Sequence, residues 1–232
     1  MPTTNFPNGF TNAPLNSVLQ NYLDGDPTVL HQYWNDFDIF TAGDWTGTAT
    51  GVVTNSVIAG DGGTLSLANS AANNDLDSLQ LKAATFNITA GKDAWIKTKF
   101  NVSSALNSAI TIGLIQVTTT PLVVTDGFYL SKPAASTTLT AKVAKASAIS
   151  SVNAGALADN TDVVVGMHYN SDDNVVRVFF NGNRVGQLAT TNLPAGTNLA
   201  VTIAVANGTA AANTLKLDYL LVSNVRPSVQ NN

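Results

Sequence analysis

The stretch VVRVFFNGNRVGQLA, residues 175–189, is the clearest sign of the fold of this chain. Val176, Val178 and Phe180 share one face of an extended segment, and Arg177 lies on the other face. An Asn-Gly-Asn turn then separates this run from a second short run. Because Asn and Gly adopt positive φ angles at little cost, this pattern predicts a β-hairpin.

Four further segments show the same period of two. They are AWIKTKFNV (94–102), AITIGLIQV (109–117), DVVVGMHY (162–169) and TLKLDYLLV (214–222). The predicted buried faces include Ile96, Thr98, Phe100 and Val102 in the first segment and Leu215, Leu217, Tyr219 and Leu221 in the last. Such alternation is typical of half-buried antiparallel strands. We therefore predict an all-β protein, an antiparallel jelly-roll β-sandwich over residues 36–225 with a C-terminal tail, residues 226–232.

The composition favours strands and excludes several classes of function. Only 11% of the 232 residues are charged, against about 25% in a typical soluble domain. All fifteen acidic residues are Asp, which favours turns, and none is Glu, which favours helices. A net charge of −4 without a basic cluster argues against nucleic-acid binding, and no apolar run approaches the ~20 residues of a membrane span. The absence of Cys excludes disulfides and thiolate metal ligands.

The N-terminal segment MPTTNFPNGFTNAP carries no charged side chain, and it contains three prolines and two phenylalanines. Proline disfavours helix and biases the preceding residue to extended conformations. We therefore predict an extended arm over residues 1–13. Since aromatic side chains dominate interface energetics, Phe6 and Phe10 are the expected anchors of this arm on another protein surface.

A short helical docking segment is predicted over residues 14–35. In PLNSVLQNYLD, residues 14–24, the side chains Leu15, Val18, Leu19 and Tyr22 form one apolar stripe at helical spacing. A helix of about three turns is too short to be stable alone, so it must dock on another surface. A second short helix or turn is expected from Pro27 to Trp34. The predicted capsid- or subunit-contact residues are Phe6, Pro7, Asn8, Gly9, Phe10, Leu15, Leu19 and Tyr22.

No constellation of residues predicts catalysis. Glycoside hydrolysis needs two carboxylates about 5–9 Å apart, and the alternating pair Asp36 and Asp38 is the best candidate for them. Its plainer interpretation is a strand in which Phe37 points inward. The other close pair, Asp75 and Asp77, falls in a predicted loop. We therefore predict no catalytic residues, no metal site and no cofactor.

The histidines and tryptophans are predicted to have structural roles. His168 is expected at the surface or on a sheet face, and His31, which flanks Tyr33 and Trp34 in the sequence, is expected to be a packing or interface residue. Trp34, Trp45 and Trp95 are possible sugar platforms, although packing is the commoner fate of tryptophan. Trp95 shares its strand face with two lysines, so another segment is expected to cover it.

Taken together, the motifs resemble a known family. FPNGFTN near the start, followed by YWNDFDIFTAGDWTGT, resembles the opening of tailed-bacteriophage virion proteins that decorate the capsid. The order of ATFNITAGKDAWIKTKFNV, DGFYLSK, VFFNGNRV and LKLDYLLV resembles the concanavalin A-like (lectin/glucanase) sandwich. The glucanases of that fold carry a Glu-x-Asp motif, and this chain has no Glu to supply it.

The resemblance implies a capsid decoration, or cement, protein on the outer surface of the virion. Such a protein binds the major capsid protein without covalent bonds and stabilises the assembled head shell, often as a homotrimer. Three alternatives stay open: a virion fibre or tail component, a carbohydrate-binding jelly-roll module, and an enzyme.

Overall fold

The hairpin predicted over residues 175–189 is present. In the computed structural model, which describes residues 30–60 and 62–226, strands β13 (Val175–Phe180) and β14 (Asn183–Ala189) pair directly. The turn residues Asn181 and Gly182 have φ angles of 48° and 81°, as the two central positions of a type I′ turn require. The turn thus supplies the twist that the two flanking strands need.

The described chain is an antiparallel sandwich of two eight-stranded sheets, which confirms the predicted fold class. Sheet I has the order β14-β13-β12-β7-β16-β4-β3, with β1 also paired to β16, and sheet II has the order β11-β10-β9-β8-β15-β5-β2, with β6 also paired to β15. The other strands of sheet I are β1 (Leu30–Asn35), β3 (Val53–Ile58), β4 (Thr64–Asn69), β7 (Ala94–Val102), β12 (Val163–Asn170) and β16 (Thr214–Val225). Sheet II contains β2 (Trp45–Thr50), β5 (Leu76–Leu81), β6 (Phe86–Asn87), β8 (Ser108–Ile115), β9 (Gly127–Lys132), β10 (Thr138–Lys145), β11 (Ala148–Ala156) and β15 (Asn198–Asn207). A single 3₁₀ turn, Ala42–Asp44, precedes β2 within the described part of the chain.

The core lies between the two sheets and uses the predicted faces of the strands. In β7 the four residues Ile96, Thr98, Phe100 and Val102 are each at most 1% exposed. Trp95 lies on the opposite face, as the alternation predicted. The alternate side chains of these strands, Trp95 among them, therefore lie on the outer face of sheet I.

Strand β16 departs from its predicted alternation. Its pairing with β7 shifts by one residue between Leu217 and Tyr219, which marks a β-bulge at Asp218. Leu220 and Val222 are fully buried after the bulge, while Tyr219 and Leu221 are only partly buried. The prediction that Tyr219 and Leu221 share the buried face was therefore wrong, because the extra residue turns them to the outer face.

The prediction of a second short helix or turn up to Trp34 was also wrong, because Leu30–Asn35 forms strand β1. Strand β1 pairs along its full length with the C-terminal half of β16, from Leu30 opposite Val225 to Asn35 opposite Leu220. On the inner side, His31 stacks on Phe86 with ring centroids 4.2 Å apart. The predicted packing role of His31 is thus confirmed.

The segment that follows β1 is a tight loop and not the strand proposed for Asp36 and Asp38. Phe37 is fully buried, as expected, but its φ angle of 53° is that of a left-handed turn. The loop lies directly against Gly63, where an added Cβ would come within 2.4 Å of the Phe37 carbonyl oxygen. Gly63 is therefore needed both for its positive φ of 88° and for its lack of a side chain.

Replacing Gly63 should reveal this close approach. We expect Gly63→Ala to lower the free energy of unfolding by about 3 kcal/mol or more, because positive-φ strain adds to a clash with backbone. Gly91→Ala is the matched control, since Gly91 has a similar φ of 77° but no atom within 4 Å of an added Cβ. The control should lose only about 1 kcal/mol. Urea unfolding measures both values, and equal losses would contradict the proposed contact.

Candidate functional site

The predicted contact residues of the arm and of the first helix lie outside the described residues. They are Phe6, Pro7, Asn8, Gly9, Phe10, Leu15, Leu19 and Tyr22. The arm (1–13), most of the docking segment (14–29) and the tail from residue 227 onward also lie outside. The candidate site described below was therefore not among the predicted contact residues.

A groove of about 580 Å³ lies on the outer face of sheet I. It crosses strands β1, β16, β7, β12 and β13. The lining includes Leu30, Trp95, Val164, His168, Phe179 and Leu221. These side chains are mainly apolar, so the groove suits an apolar occupant.

The absence of a side chain at Gly166 helps to form the groove. Gly166 lies in β12 between Val164 and His168, and an added Cβ would meet its nearest neighbour, the Ile96 carbonyl oxygen, at 3.6 Å. That distance is ordinary van der Waals contact. The position would therefore accept a side chain, and the groove would be correspondingly shallower.

A stacked aromatic pair forms part of the lining of the groove. The rings of Trp95 and His168 lie 5.1 Å apart and nearly parallel, at 8°. His168 Nε2 lies 3.0 Å from Asp93 Oδ2, while the Ser171 hydroxyl and amide both donate to Asp93 Oδ1. Burial raises the pKa of Asp93, but these hydrogen bonds outweigh it and hold the pKa below its ordinary value.

This Ser, His and Asp set is not arranged for nucleophilic catalysis. A catalytic serine must give its proton to the histidine, with the carboxylate on the far side of the ring. Here the Ser171 hydroxyl donates to Asp93 at 2.6 Å. The three residues instead fix the orientation of His168 on the sheet face, where the sequence placed it.

A second aromatic pair lies on the same outer face, beside the groove. Trp34 is 56% exposed, and its ring stacks on Tyr219 with centroids 5.6 Å apart and planes at 29°. Of the three tryptophans, Trp34 offers the most exposed ring to a sugar, since Trp95 is half-buried and Trp45 is 6% exposed and packs edge-on against Tyr33. The pair exists because the bulge at Asp218 turns Tyr219 outward.

An ion-pair cluster borders this aromatic pair. Lys99 forms a hydrogen-bonded ion pair with Asp218, and its Nζ lies 3.5 Å from an Asp162 oxygen. The hydrogen bond from Lys99 to Asp218 raises the pKa of Lys99 above its ordinary value. The outer face of sheet I thus combines apolar, aromatic and charged surfaces.

Asp77 was expected in a loop but lies in β5, where it is 1% exposed between the sheets. One carboxylate oxygen accepts a hydrogen bond from Asn55 Nδ2 at 3.3 Å, and the other has no partner among the described residues. Burial therefore raises the pKa of Asp77 to about 6. Such a pKa would suit an acid catalyst, but this carboxyl is enclosed and not part of the groove.

The described residues contain neither a metal-binding cluster nor a membrane-spanning helix. Within residues 30–60 and 62–226, no three His or Asp side chains come together as a group that would hold a metal ion. No helix in this part of the chain is long and apolar enough to span a membrane.

Comparison with known proteins identifies the fold. No protein-family model and no curated protein sequence matches the chain. Among solved structures, the chain is similar to a protein of unknown function from Shewanella oneidensis MR-1 (TM-score 0.63, 15% identity, covering 88% of this chain and 90% of that one). It is also similar to the Emp47p carbohydrate recognition domain (0.59, 13%, 85% and 97%) and to a prokaryotic β-1,3-1,4-glucanase from a mouse hindgut metagenome (0.58, 12%, 83% and 98%).

One of these neighbours is a carbohydrate recognition domain and another is a glucanase, and this chain shares their lectin-like jelly-roll sandwich fold. Identities of 12–15% support the fold alone. The predicted bacteriophage role stays a prediction, and so does the prediction that the chain is not an enzyme.

The pH dependence of stability should identify the buried carboxyl. The pKa of Asp77 is about 6 in the folded protein and close to 3.8 in the unfolded chain. As pH rises, the Asp77 carboxyl therefore ionises in the unfolded chain before it ionises in the folded protein. The free energy of unfolding should fall by about 2–3 kcal/mol between pH 4 and pH 6. We expect Asp77→Asn to remove this fall and to be more stable than the parent at pH 7, since the new amide can donate to the unpartnered Asn55 Oδ1.

The matched control is Asp172→Asn, which makes the same charge change at an exposed loop position. The free energy of unfolding of Asp172→Asn should still fall between pH 4 and pH 6, as in the parent protein. Chemical denaturation at several pH values measures both variants, and a fall that persists in Asp77→Asn would show that another group is responsible.

Proposed function

We propose that the protein is a non-catalytic bacteriophage virion protein that decorates the capsid. In this proposal it binds the major capsid protein on the outer surface of the assembled head and stabilises the shell. The arm, residues 1–13, makes the attachment, and a homo-oligomer, with a trimer favoured, bridges neighbouring capsomers. The resemblance of the N-terminal sequence to capsid-decorating proteins supports this role.

The geometric observation that carries the proposal is the position of the two ends of the sandwich. Leu30 and Val225 are paired neighbours at the end of sheet I. The preceding segment, residues 1–29, and the following one, residues 227–232, are therefore both tethered to one corner. A tether at one corner leaves the opposite side of the sandwich free to face outward from a shell.

The chemistry of the arm fits attachment to a protein surface. It has no charged side chain, so it can lie along another protein with a low desolvation cost. Its backbone can add to an exposed sheet edge, while Phe6 and Phe10 supply apolar contact area. Identical sites repeated on a shell raise the avidity of an oligomer without any stronger single contact.

Removing the two aromatic anchors should weaken capsid binding strongly without affecting folding. We expect Phe6→Ala/Phe10→Ala to weaken binding to empty shells of the major capsid protein by about 100-fold or more, since each buried aromatic anchor contributes about 2 kcal/mol. Thr3→Ala/Thr4→Ala is the control within the same arm and should bind almost normally. Co-sedimentation with shells measures binding, and thermal unfolding checks the sandwich. Undiminished binding by the phenylalanine variant would contradict the arm as the attachment site.

A second candidate function is carbohydrate binding at the Trp34–Tyr219 pair. Exposed stacked rings offer a flat apolar surface to a sugar, and the neighbouring Lys99, Asp162 and Asp218 offer hydrogen-bonding groups. Several similar structures are lectin-type domains, among them the Emp47p carbohydrate recognition domain and peanut lectin. This role is compatible with a free module and with a virion fibre or tail component.

A glycan array tests this second role. If the pair binds sugar, the array signal of Trp34→Ala should be at least about tenfold lower than that of the parent for each glycan that the parent binds. The reason is that the variant lacks the stacking surface. Ile39→Ala is the control, as Ile39 is 75% exposed and lies just beyond β1. An array on which the parent protein retains no glycan would remove this candidate.

A further inference from the structure

We propose that the groove of sheet I is the docking site for residues 14–24 of the same chain. The inference goes beyond the proposed function and does not depend on it, because capsid binding by the arm can hold whether or not this second segment docks. Four observations on the groove and on the connecting chain carry it.

The first observation is that Leu30, at the start of β1, lines the groove. Only residues 25–29 separate Leu30 from the segment, and five residues span at most about 18 Å. So short a connection confines the end of the segment to surfaces close to Leu30.

The second observation concerns apolar surface. The predicted stripe of the segment consists of Leu15, Val18, Leu19 and Tyr22, and it needs an apolar partner surface. The groove offers Val164, Phe179 and Leu221 as partly exposed apolar side chains. Docking would remove both apolar surfaces from water, and the burial of apolar area is favourable.

The third observation concerns charge. Lys97 lies in the groove and forms no ion pair with any described residue. The segment ends in Asp24, and Asp26 follows in the short connection. Docking brings these two carboxylates close to Lys97, which fixes the direction in which the segment lies.

The fourth observation is Trp95, whose flat ring is half-buried and lines the groove. On a sheet face that is open to water, a tryptophan exposes a large apolar area. A segment laid along the groove covers that ring. The same segment leaves Trp34 and the arm free for other partners.

Cysteine cross-linking tests the proposal in the full chain, which contains no natural Cys. Leu19→Cys/Val164→Cys places one thiol on the stripe and one in the groove. Under mild oxidation this pair should form a disulfide within the monomer at least about tenfold faster than two controls. In Leu19→Cys/Ile149→Cys the second thiol lies on the other sheet, and in Ser17→Cys/Val164→Cys the first thiol lies off the stripe.

A groove-filling variant provides an independent readout. Gly166 accepts a Cβ at ordinary contact distance, so Gly166→Val should fold normally while it obstructs the groove. In that background we expect the Leu19–Val164 cross-link to fall at least about fivefold, and a protease to cut the N-terminal segment correspondingly faster. Thermal unfolding confirms that the sandwich is intact.

Each outcome decides the question. A cross-linked dimer in place of a cross-linked monomer would show that a neighbouring copy supplies the segment, which overturns docking within one chain. Equal yields in the test pair and the controls would also overturn the proposal, as would a yield unaffected by Gly166→Val. Protection of a lone Val164→Cys thiol from maleimide by an added glycan, without any internal cross-link, would assign the groove to a sugar. Capsid binding is measured separately, so its failure is distinguishable from failure of this inference.

Discussion

The pairing of β16 with β7, interrupted by one bulge at Asp218, is the interaction on which the rest of sheet I depends. Strand β16 pairs with β7 along one edge, and with both β4 and β1 along the other. Before the bulge its leucines fill the core, and after the bulge the alternation is reversed. One extra residue therefore places Tyr219 and Leu221 on the outer face. Both the aromatic pair and one side of the groove follow from that reversal.

The low charge of the chain makes its few buried ionisable groups informative. Lys132 is 1% exposed at the end of β9, and its amine donates to the carbonyl oxygens of Ser108, Pro133 and Ser136. Burial lowers the pKa of Lys132 to about 8. Three carbonyls satisfy its three N–H donors without any carboxylate, so the lysine joins the start of β8 to the turn after β9. Asp77 is the opposite case, since half of its carboxylate has no partner.

Alternation along the sequence was sufficient to predict most of the sandwich. Strands such as β7 and β12 carry their buried residues at every second position, so their faces follow from the sequence alone. In β16 the signal changes at Tyr219-Leu220-Leu221-Val222, where four consecutive apolar residues break the alternation. That run was the available sign of a bulge. In β1, polar and apolar residues occur on both faces, so its strand character was not recognised.

The groove was beyond the reach of such reasoning for a different physical reason. Its lining comes from strands that are far apart in sequence, and its depth depends on Gly166 lying across β7 from Leu221. Which strands are neighbours is settled by the packing of the whole sandwich and not by any local pattern. The stacking of Trp95 on His168 is an example, since 73 positions separate two residues that are direct partners in the sheet. A sequence pattern assigns each residue to a face, but the topology decides which residues meet there.

The adjacency of Leu30 and Val225 has a consequence for how this sandwich can be combined with other proteins. When the first and last strands of a domain end side by side, the domain can be inserted into a surface loop of a host protein with little distortion of either partner. The same geometry permits a circular permutation in which a short linker joins the two ends and the chain opens at a turn such as Asn181-Gly182. Residues 30–226 thus have the geometry of a portable unit, a sandwich that a larger assembly can carry through two adjacent covalent connections.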